Sequence, residues 1–393
     1  MAQQSAPVYL DYAATTPVDR RVVDTMHPFF VEQFGNPNSL DHRLGWDARD
    51  AIERARVQVA MLINASPNEI VFTSSATEAI NLAIKGIVLS NRSKHHRLVT
   101  TTVEHSAVLQ TCRQLEEWRL STTEYLPVDS DGCLDLDQVE ESVAANASTM
   151  LSVMHANNET GTLYPINELA SIAHRSGSLL MTDATQSVGK ANVDVRASRV
   201  DLLAFSAHKI YGPKGIGALF IRGGLSRQEL SPLIVGGGQE HGLRSGTENV
   251  AAIVGFGKAC EITMAEQMQH AEALGDYQRD FELKLKALHP DVVVLSDQTK
   301  RLPSISNVSF PGVESKELIQ ELRGYAFSRQ AACATSAAKP SHVLQALGRT
   351  EPQCRQAIRI SFGKSFTNQA NASLPSAQKL ASDIAAAVSL LRH

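Results

Sequence analysis

Leu202-Leu203-Ala204-Phe205-Ser206-Ala207-His208-Lys209-Ile210-Tyr211-Gly212-Pro213-Lys214-Gly215 opens with four apolar residues and closes on a polar, glycine-rich run. Four apolar side chains bounded by turn formers read as a strand, and Lys209 falls just past its end. Working outward, the same figure repeats. Leu179-Leu180-Met181-Thr182 ends on Asp183, with Gln186 close behind. Met150-Leu151-Ser152-Val153-Met154 leads to Asn157-Asn158-Glu159-Thr160, and Arg97-Leu98-Val99-Thr100-Thr101 leads to Glu104-His105. Glu69-Ile70-Val71-Phe72-Thr73 leads to Ser74-Ser75-Ala76-Thr77, and strand-like runs at 122–128 and 218–221 complete seven. Helical patterns over 77–89, 106–119, 136–145 and 166–174 lie between them. Strands alternating with helices give an α/β fold: a large domain with a mainly parallel seven-stranded sheet and helices on both faces.

The pattern changes after Gly257. A long helical stretch to about Leu288 precedes strand-like segments at 292–295, 305–310 and 357–361, with helices at 315–322 and 376–391. These make a smaller α+β domain. The expected division is 15–259 for the large unit, with 1–14 and 260–393 forming the small one.

The chain has 393 residues, 43% of them hydrophobic and 20% charged, enough to bury a sizeable core. A net charge of −4 offers no overall basic field, so direct nucleic-acid or anionic-membrane binding is not expected. No run approaches the ~20 apolar residues of a membrane span, and the first residues lack a secretory pattern. The expected compartment is the cytoplasm. The five cysteines, at 112, 133, 260, 333 and 354, are odd in number and form no CxxC pair, so neither a disulfide framework nor a metal site is expected.

In parallel α/β sheets, functional groups collect past the C-terminal ends of strands. Five polar ends therefore converge on one crevice here. Ser74-Ser75-Ala76-Thr77 opens a helix and makes an anion cup from N–H groups and hydroxyls. A lysine, an aspartate and a histidine beside such a cup match pyridoxal phosphate: a Schiff-base lysine, a carboxylate for the pyridine nitrogen and a phosphate site. The GxxxxGK[ST] pattern and a GxGxxG after a strand are both absent, which leaves nucleotide cradles without support.

Seven segments in order then carry a resemblance. They are Leu10-Asp11-Tyr12-Ala13-Ala14-Thr15-Thr16-Pro17, Phe34-Gly35-Asn36-Pro37, Thr102-Val103-Glu104-His105, Ala156-Asn157-Asn158-Glu159-Thr160-Gly161, Thr182-Asp183-Ala184-Thr185-Gln186-Ser187, Ser206-Ala207-His208-Lys209 and Arg244-Ser245-Gly246-Thr247-Glu248-Asn249. Together they resemble the cysteine desulfurase family, of class V aminotransferase fold (fold type I of pyridoxal phosphate enzymes). The resemblance implies a homodimer that turns L-cysteine into L-alanine and passes the sulfur to an acceptor protein, in iron–sulfur assembly, tRNA thiolation or DNA phosphorothioation.

It also implies roles. Lys209 binds the cofactor covalently and serves as base. Asp183 pairs with the pyridine nitrogen, and His105 stacks on the ring and moves protons. Gln186 bonds the phenolic oxygen, and Asn157 lies near it and the substrate. Ala76, Thr77, Ser206 and His208 hold the phosphate, joined by Thr247 of a second subunit. Arg359, in Ala357-Ile358-Arg359-Ile360-Ser361, clamps the substrate carboxylate. Cys333 takes the sulfur as a persulfide, in a long loop at about 328–341 that is recognised by Pro340-Ser341-His342-Val343 downstream. The loop departs from the family at Arg329-Gln330 and Lys339, where small and acidic residues are usual; this bears on the acceptor. The alternatives are a selenocysteine lyase or class V aminotransferase, and, in another class, a non-catalytic partner-binding subunit.

Overall fold

A computed structural model describes residues 6–145, 148–223, 229–296, 299–329, 340–367 and 374–393. Cys333, Gln330 and Lys339 lie outside the described residues. The strands in chain order are β1 (Val8–Tyr9), β2 (Ile70–Thr73), β3 (His96–Thr101), β4 (Ser121–Leu126), β5 (Met150–Ser152), β6 (Leu179–Asp183), β7 (Leu202–Ser206), β8 (Gly217–Ile221), β9 (Val293–Val294), β10 (Ile305–Ser309), β11 (Tyr325–Ala326) and β12 (Ala357–Ser361).

One sheet takes the order β2-β8-β7-β6-β5-β3-β4. The pairs from β7 through β6, β5 and β3 to β4 are parallel, while β8 runs against both β7 and β2. The reversal has a simple cause. Ten residues, 207–216, join β7 to β8, fewer than a parallel crossover requires. The apolar runs follow from burial on both faces. Leu203 and Phe205 of β7 pack with Val59, Val139, Leu169 and Phe256 on one side. Leu202 and Ala204 pack with Ala79, Ile80, Ala83 and Leu115 on the other. Strands so enclosed show no polar alternation.

Three helices precede the sheet, Arg20–Met26, Pro28–Val31 and Arg43–Leu62. After the sheet comes one helix of 39 residues, Val250–Leu288, capped by the Asn249 side chain on the Ala252 N–H. Its first half puts Ile253, Phe256 and Cys260 into the core of the large sheet. Its second half puts Leu274, Phe281 and Leu285 into another core, with Val308, Ile358, Ile360 and Leu380. There β12, β10 and β9 form an antiparallel sheet, and the last helix, Ala377–Leu391, packs against the long one. No described helix is long and apolar enough to cross a membrane.

A buried ion pair joins the early helices to the sheet. The Arg56 guanidinium donates to both oxygens of Glu240 at 2.8 Å, with the side chains 6% and 3% exposed. Glu240 also accepts from the Phe72 N–H at 2.8 Å, and Arg56 donates to the Ile70 carbonyl at 2.9 Å. Removing one member of such a pair strands a charge in the interior. Glu240→Ala should therefore lower unfolding stability by roughly 3–5 kcal/mol. Urea unfolding measures this, and a loss below about 1 kcal/mol would show that water reaches Arg56.

Candidate active site

The crevice lies at the C-terminal ends of β2, β3, β5, β6 and β7. Ser75, Ala76, Thr77, His105, Met154, Asn158, Asp183, Thr185, Gln186, Ser206, His208 and Lys209 line it, with Ala13 and Ala14 from the N-terminal segment and Arg359 from β12. Sequence order thus becomes one constellation, with each polar strand end delivering its group to the same space.

The anion end is built by close packing. Ser75 caps the helix Ala76–Ser90 by accepting from the Glu78 N–H at 3.2 Å. On the neighbouring β8, a Cβ at Gly217 would lie 2.7 Å from the Ser75 carbonyl carbon and 2.9 Å from the Ala76 nitrogen. A glycine there lets the helix start press directly on the sheet. Its unpaired N–H groups and dipole then face the crevice. His208 stands beside it, with Nδ1 at 3.1 Å from the Thr15 hydroxyl. Burial, and secondarily the Lys209 cation, push His208 down to about 4, so its ring is neutral at pH 7.

Lys209 Nζ donates to the carbonyls of Ala13 at 2.6 Å and Ala14 at 2.7 Å. Gln186 donates to the same Ala13 carbonyl at 2.9 Å and accepts from Lys190 Nζ at 3.0 Å. Burial, then the cations of Lys209 and Arg359, push Lys190 down to about 7. Asp183 is buried, and its Oδ1 accepts from the Thr185 N–H at 2.9 Å. His105 heads the helix Ser106–Glu117, its Nδ1 accepting from the Ala107 N–H at 3.1 Å. That bond assigns the proton of the neutral ring to Nε2.

Arg359 is 1% exposed. Nη2 donates to Asp11 Oδ1 at 2.7 Å and Nη1 to the Asn158 carbonyl at 2.8 Å. Its buried Nε has no hydrogen-bond partner among the described residues, nor has the Thr185 hydroxyl. Both residues line the crevice, so it holds donors that its own walls do not satisfy.

One residue expected from this chain itself does not line its crevice. Asn157 is buried within the wall, its amide donating to the Val103 carbonyl at 3.1 Å and accepting from the Glu159 and Thr160 N–H groups. The asparagine that lines the crevice is Asn158. Thr247 is exposed and does not line this chain's crevice. Pattern reading also missed Lys190 and the Ala13 and Ala14 carbonyls. The segment 10–17 had been singled out, but nothing in a pattern tells that its backbone, rather than its side chains, would meet Lys209.

Glu104 lies behind His105, wholly buried. Oε1 accepts from the Met154 N–H at 2.7 Å and Oε2 is unpartnered among the described residues. Burial, and next the Asp183 charge, raise it from 4.5 to about 8. The folded chain therefore holds a proton that the unfolded chain releases at about 4.5. Stability from this group is full below that pH and is lost as pH rises through about 8. Glu104→Gln should gain stability over wild type progressively between those pH values. Denaturant midpoints at pH 5, 7 and 9 test this, and a constant gap would rule it out.

The Aminotransferase class-V family model matches residues 8–371. A mitosomal cysteine desulfurase of Encephalitozoon cuniculi is 43% identical over 380 residues, 95% of this chain and 87% of that protein. The solved structure of a NifS-like protein superposes with a TM-score of 0.87 at 35% identity, covering 98% of this chain and 99% of the other. A structure described as SspA in complex with cysteine gives 0.77 at 37% identity, covering 90% and 98%.

Proposed function

The chain belongs to the class-V aminotransferase family as a pyridoxal phosphate-dependent cysteine desulfurase, and on that premise we propose how its residues divide the work. The donor set fits the cofactor. The helix start at Ser75–Thr77, with Ser206 and His208, suits a phosphate; Asp183 suits a pyridine nitrogen; Gln186 suits a phenolic oxygen; Lys209 suits the aldehyde. Bound there, pyridoxal phosphate supplies a sink for the electron pair left when Cα loses its proton. Lys209 takes that proton. Asp183, with Oδ1 held by Thr185, keeps Oδ2 for the pyridine N–H. His105 would stack against the cofactor and exchange a proton with the substrate thiol. Asn157 shapes the wall that presents Asn158.

Cys333 is the sulfur acceptor within the chain. Cys112, Cys260 and Cys354 are buried, and burial raises all three thiols and that of Cys133. A thiol so raised is a poor nucleophile at neutral pH. Both flanks of the segment carrying Cys333 are fastened at the site. Ser328 exchanges two backbone hydrogen bonds with Arg359, at 3.3 and 2.7 Å. Ser341 donates to Glu159 at 2.6 Å, and His342 Nε2 lies 2.9 Å from the Glu104 carbonyl. In the transfer step the Cys333 thiolate attacks the substrate sulfur. The S–S bond forms as Cβ–S breaks, its electron pair stays on Cβ, and protonation there gives the methyl group of L-alanine.

The observation that carries the amino-acid substrate is Arg359, a buried guanidinium in the same crevice as Lys209 with an unsatisfied Nε. A two-pronged carboxylate contact answers it. Arg359→Ala should raise KM for L-cysteine about ten- to a hundredfold, the worth of a charged hydrogen bond of ~1.5–3 kcal/mol. Binding of cysteamine, which has the thiol and amine but no carboxylate, should be nearly unchanged. Equal losses for both compounds would sink the assignment.

The quaternary and cellular readings belong to the same proposal. Phe30, Val31, Phe34, Leu40 and Trp46 are all more than half exposed, and Val235 is 79% exposed on the segment leading to Thr247. A second copy covering these apolar side chains would bring its Thr247 to this chain's phosphate end. The sulfur leaves on an acceptor protein, and free thiols suit the reducing cytoplasm. The domain limits of 15–259, and of 1–14 with 260–393, are supported by the two cores that the long helix bridges.

A further inference from the structure

Asp11 uses its two oxygens on two different parts of the site. Oδ1 accepts from Arg359 Nη2 at 2.7 Å, and Oδ2 accepts from the Ser328 hydroxyl at 2.8 Å. Arg359 and Ser328 are themselves joined by the backbone pair on β12. Asp11 is thus the shared corner of a triangle. One edge is the guanidinium that faces the crevice, and another is the last stretch of described chain before residues 330–339.

The geometry at Arg359 fixes more than charge balance requires. Asp11 takes an N–H from Nη2 and the Asn158 carbonyl takes one from Nη1, so the guanidinium is held at both terminal nitrogens. A planar fork fixed at two points holds its remaining donors in fixed directions. Asp11 itself is tied down. The hydroxyl of Tyr9 donates to its carbonyl at 2.9 Å, and it forms a parallel bridge with Ser361 of β12. Two and three residues on, Ala13 and Ala14 give Lys209 its carbonyl acceptors. The one N-terminal segment therefore touches both the base and the carboxylate clamp.

We propose that Asp11 is a positioning residue that locks Arg359 and Ser328 into one unit, so that the substrate carboxylate subsite and the entrance of the cysteine segment are set together. The inference rests on the reading of Arg359 as the carboxylate clamp. By linkage, whatever loosens Asp11 weakens carboxylate binding, and breaking the Ser328 contact alone disturbs sulfur transfer.

The test uses holoenzyme and two readouts. L-alanine, which has the carboxylate and amine but no sulfur, is titrated by the absorbance change of the cofactor. Persulfide on the chain is followed in a single turnover with L-cysteine. Asp11→Ala should weaken L-alanine binding and raise KM for L-cysteine, each by about tenfold or more, as loss of a charged hydrogen bond does. Asp11→Asn keeps the shape, can still accept from Arg359 and donate to Ser328, and should lose only about threefold; it guards against a variant that fails to fold. Ser328→Ala should leave L-alanine binding within about twofold and slow persulfide formation. Variants of Asp11 that bind L-alanine within twofold of wild type while melting lower would reduce the residue to charge balance and overturn the proposal. So would unaltered persulfide formation in Ser328→Ala. Arg359→Ala is measured beside them. If it binds L-alanine normally, the carboxylate clamp itself is wrong and the inference falls with it, whatever Asp11 does.

Discussion

Lys209→Ala should lose sulfide release and alanine formation by about 10³-fold or more, a rise of ~4 kcal/mol in the barrier. Two roles disappear together. In the proposed mechanism the amine at Nζ is both the covalent anchor for the cofactor aldehyde and the base for the Cα proton. The fold should survive, because Nζ donates to the backbone carbonyls of Ala13 and Ala14 in the crevice, and removing its charge relieves the neighbouring Lys190 and His208. Borohydride should no longer fix the cofactor to the chain, and circular dichroism should be unchanged. Added methylamine should restore part of the rate, since a small amine fits the space the side chain vacates and supplies the missing base. A variant that still turned over at more than about a tenth of the wild-type rate would show that another group removes the proton.

The strands of the large sheet were legible because enclosed strands read as unbroken apolar runs, and the site because each strand ended on a polar group. Asp183, His105 and Lys209, the last with Ser206 and His208 beside it, come from three separate stretches and meet as that rule requires. Cys112 sits on the expected helix and Cys354 on a short helix, Glu351–Arg355, and both are buried. What stayed hidden has common causes. The direction of β8 depends on the length of the link from β7, which an apolar run does not encode. Helices 20–62 gave no reading, since the strand-and-helix figure that organised the rest begins only at Glu69. Asn157 and Asn158 are neighbours with the same chemistry. Which one faces the crevice is decided by the turn that Asn157 closes through the Glu159 and Thr160 N–H groups. Asp11 joins the site through Arg359 of β12, almost 350 residues later, and through Ser328. Contacts of that span come from topology, not from local pattern.

Cys333→Ser should separate binding from turnover. The anchors of its segment, Ser328 on Arg359 and Ser341 on Glu159, do not involve the thiol. The carboxylate clamp, the base and the phosphate end are also untouched. L-cysteine and L-alanine should therefore bind with wild-type affinity, and the cofactor absorbance should respond as before. Sulfur transfer should stop. A serine hydroxyl is barely ionised at neutral pH and is a weak nucleophile toward sulfur, whereas a thiol with pKa near ~8.5 is already a few per cent thiolate. The expected fall in alanine formation is about 10³-fold, ~4 kcal/mol, with no labelled sulfur retained on the chain. The other four cysteines make the result clean. Cys112 is raised to about 12, Cys260 and Cys354 are buried, and Cys133 is raised as well, so none stands ready to replace the missing thiolate. Offering L-selenocysteine tests the step itself. The Cβ–Se bond is weaker and its selenium leaves more readily, so alanine from that substrate should survive in the variant. Full alanine formation from L-cysteine would remove Cys333 from the mechanism. Loss of L-alanine binding would instead mean that the segment helps to shape the carboxylate subsite.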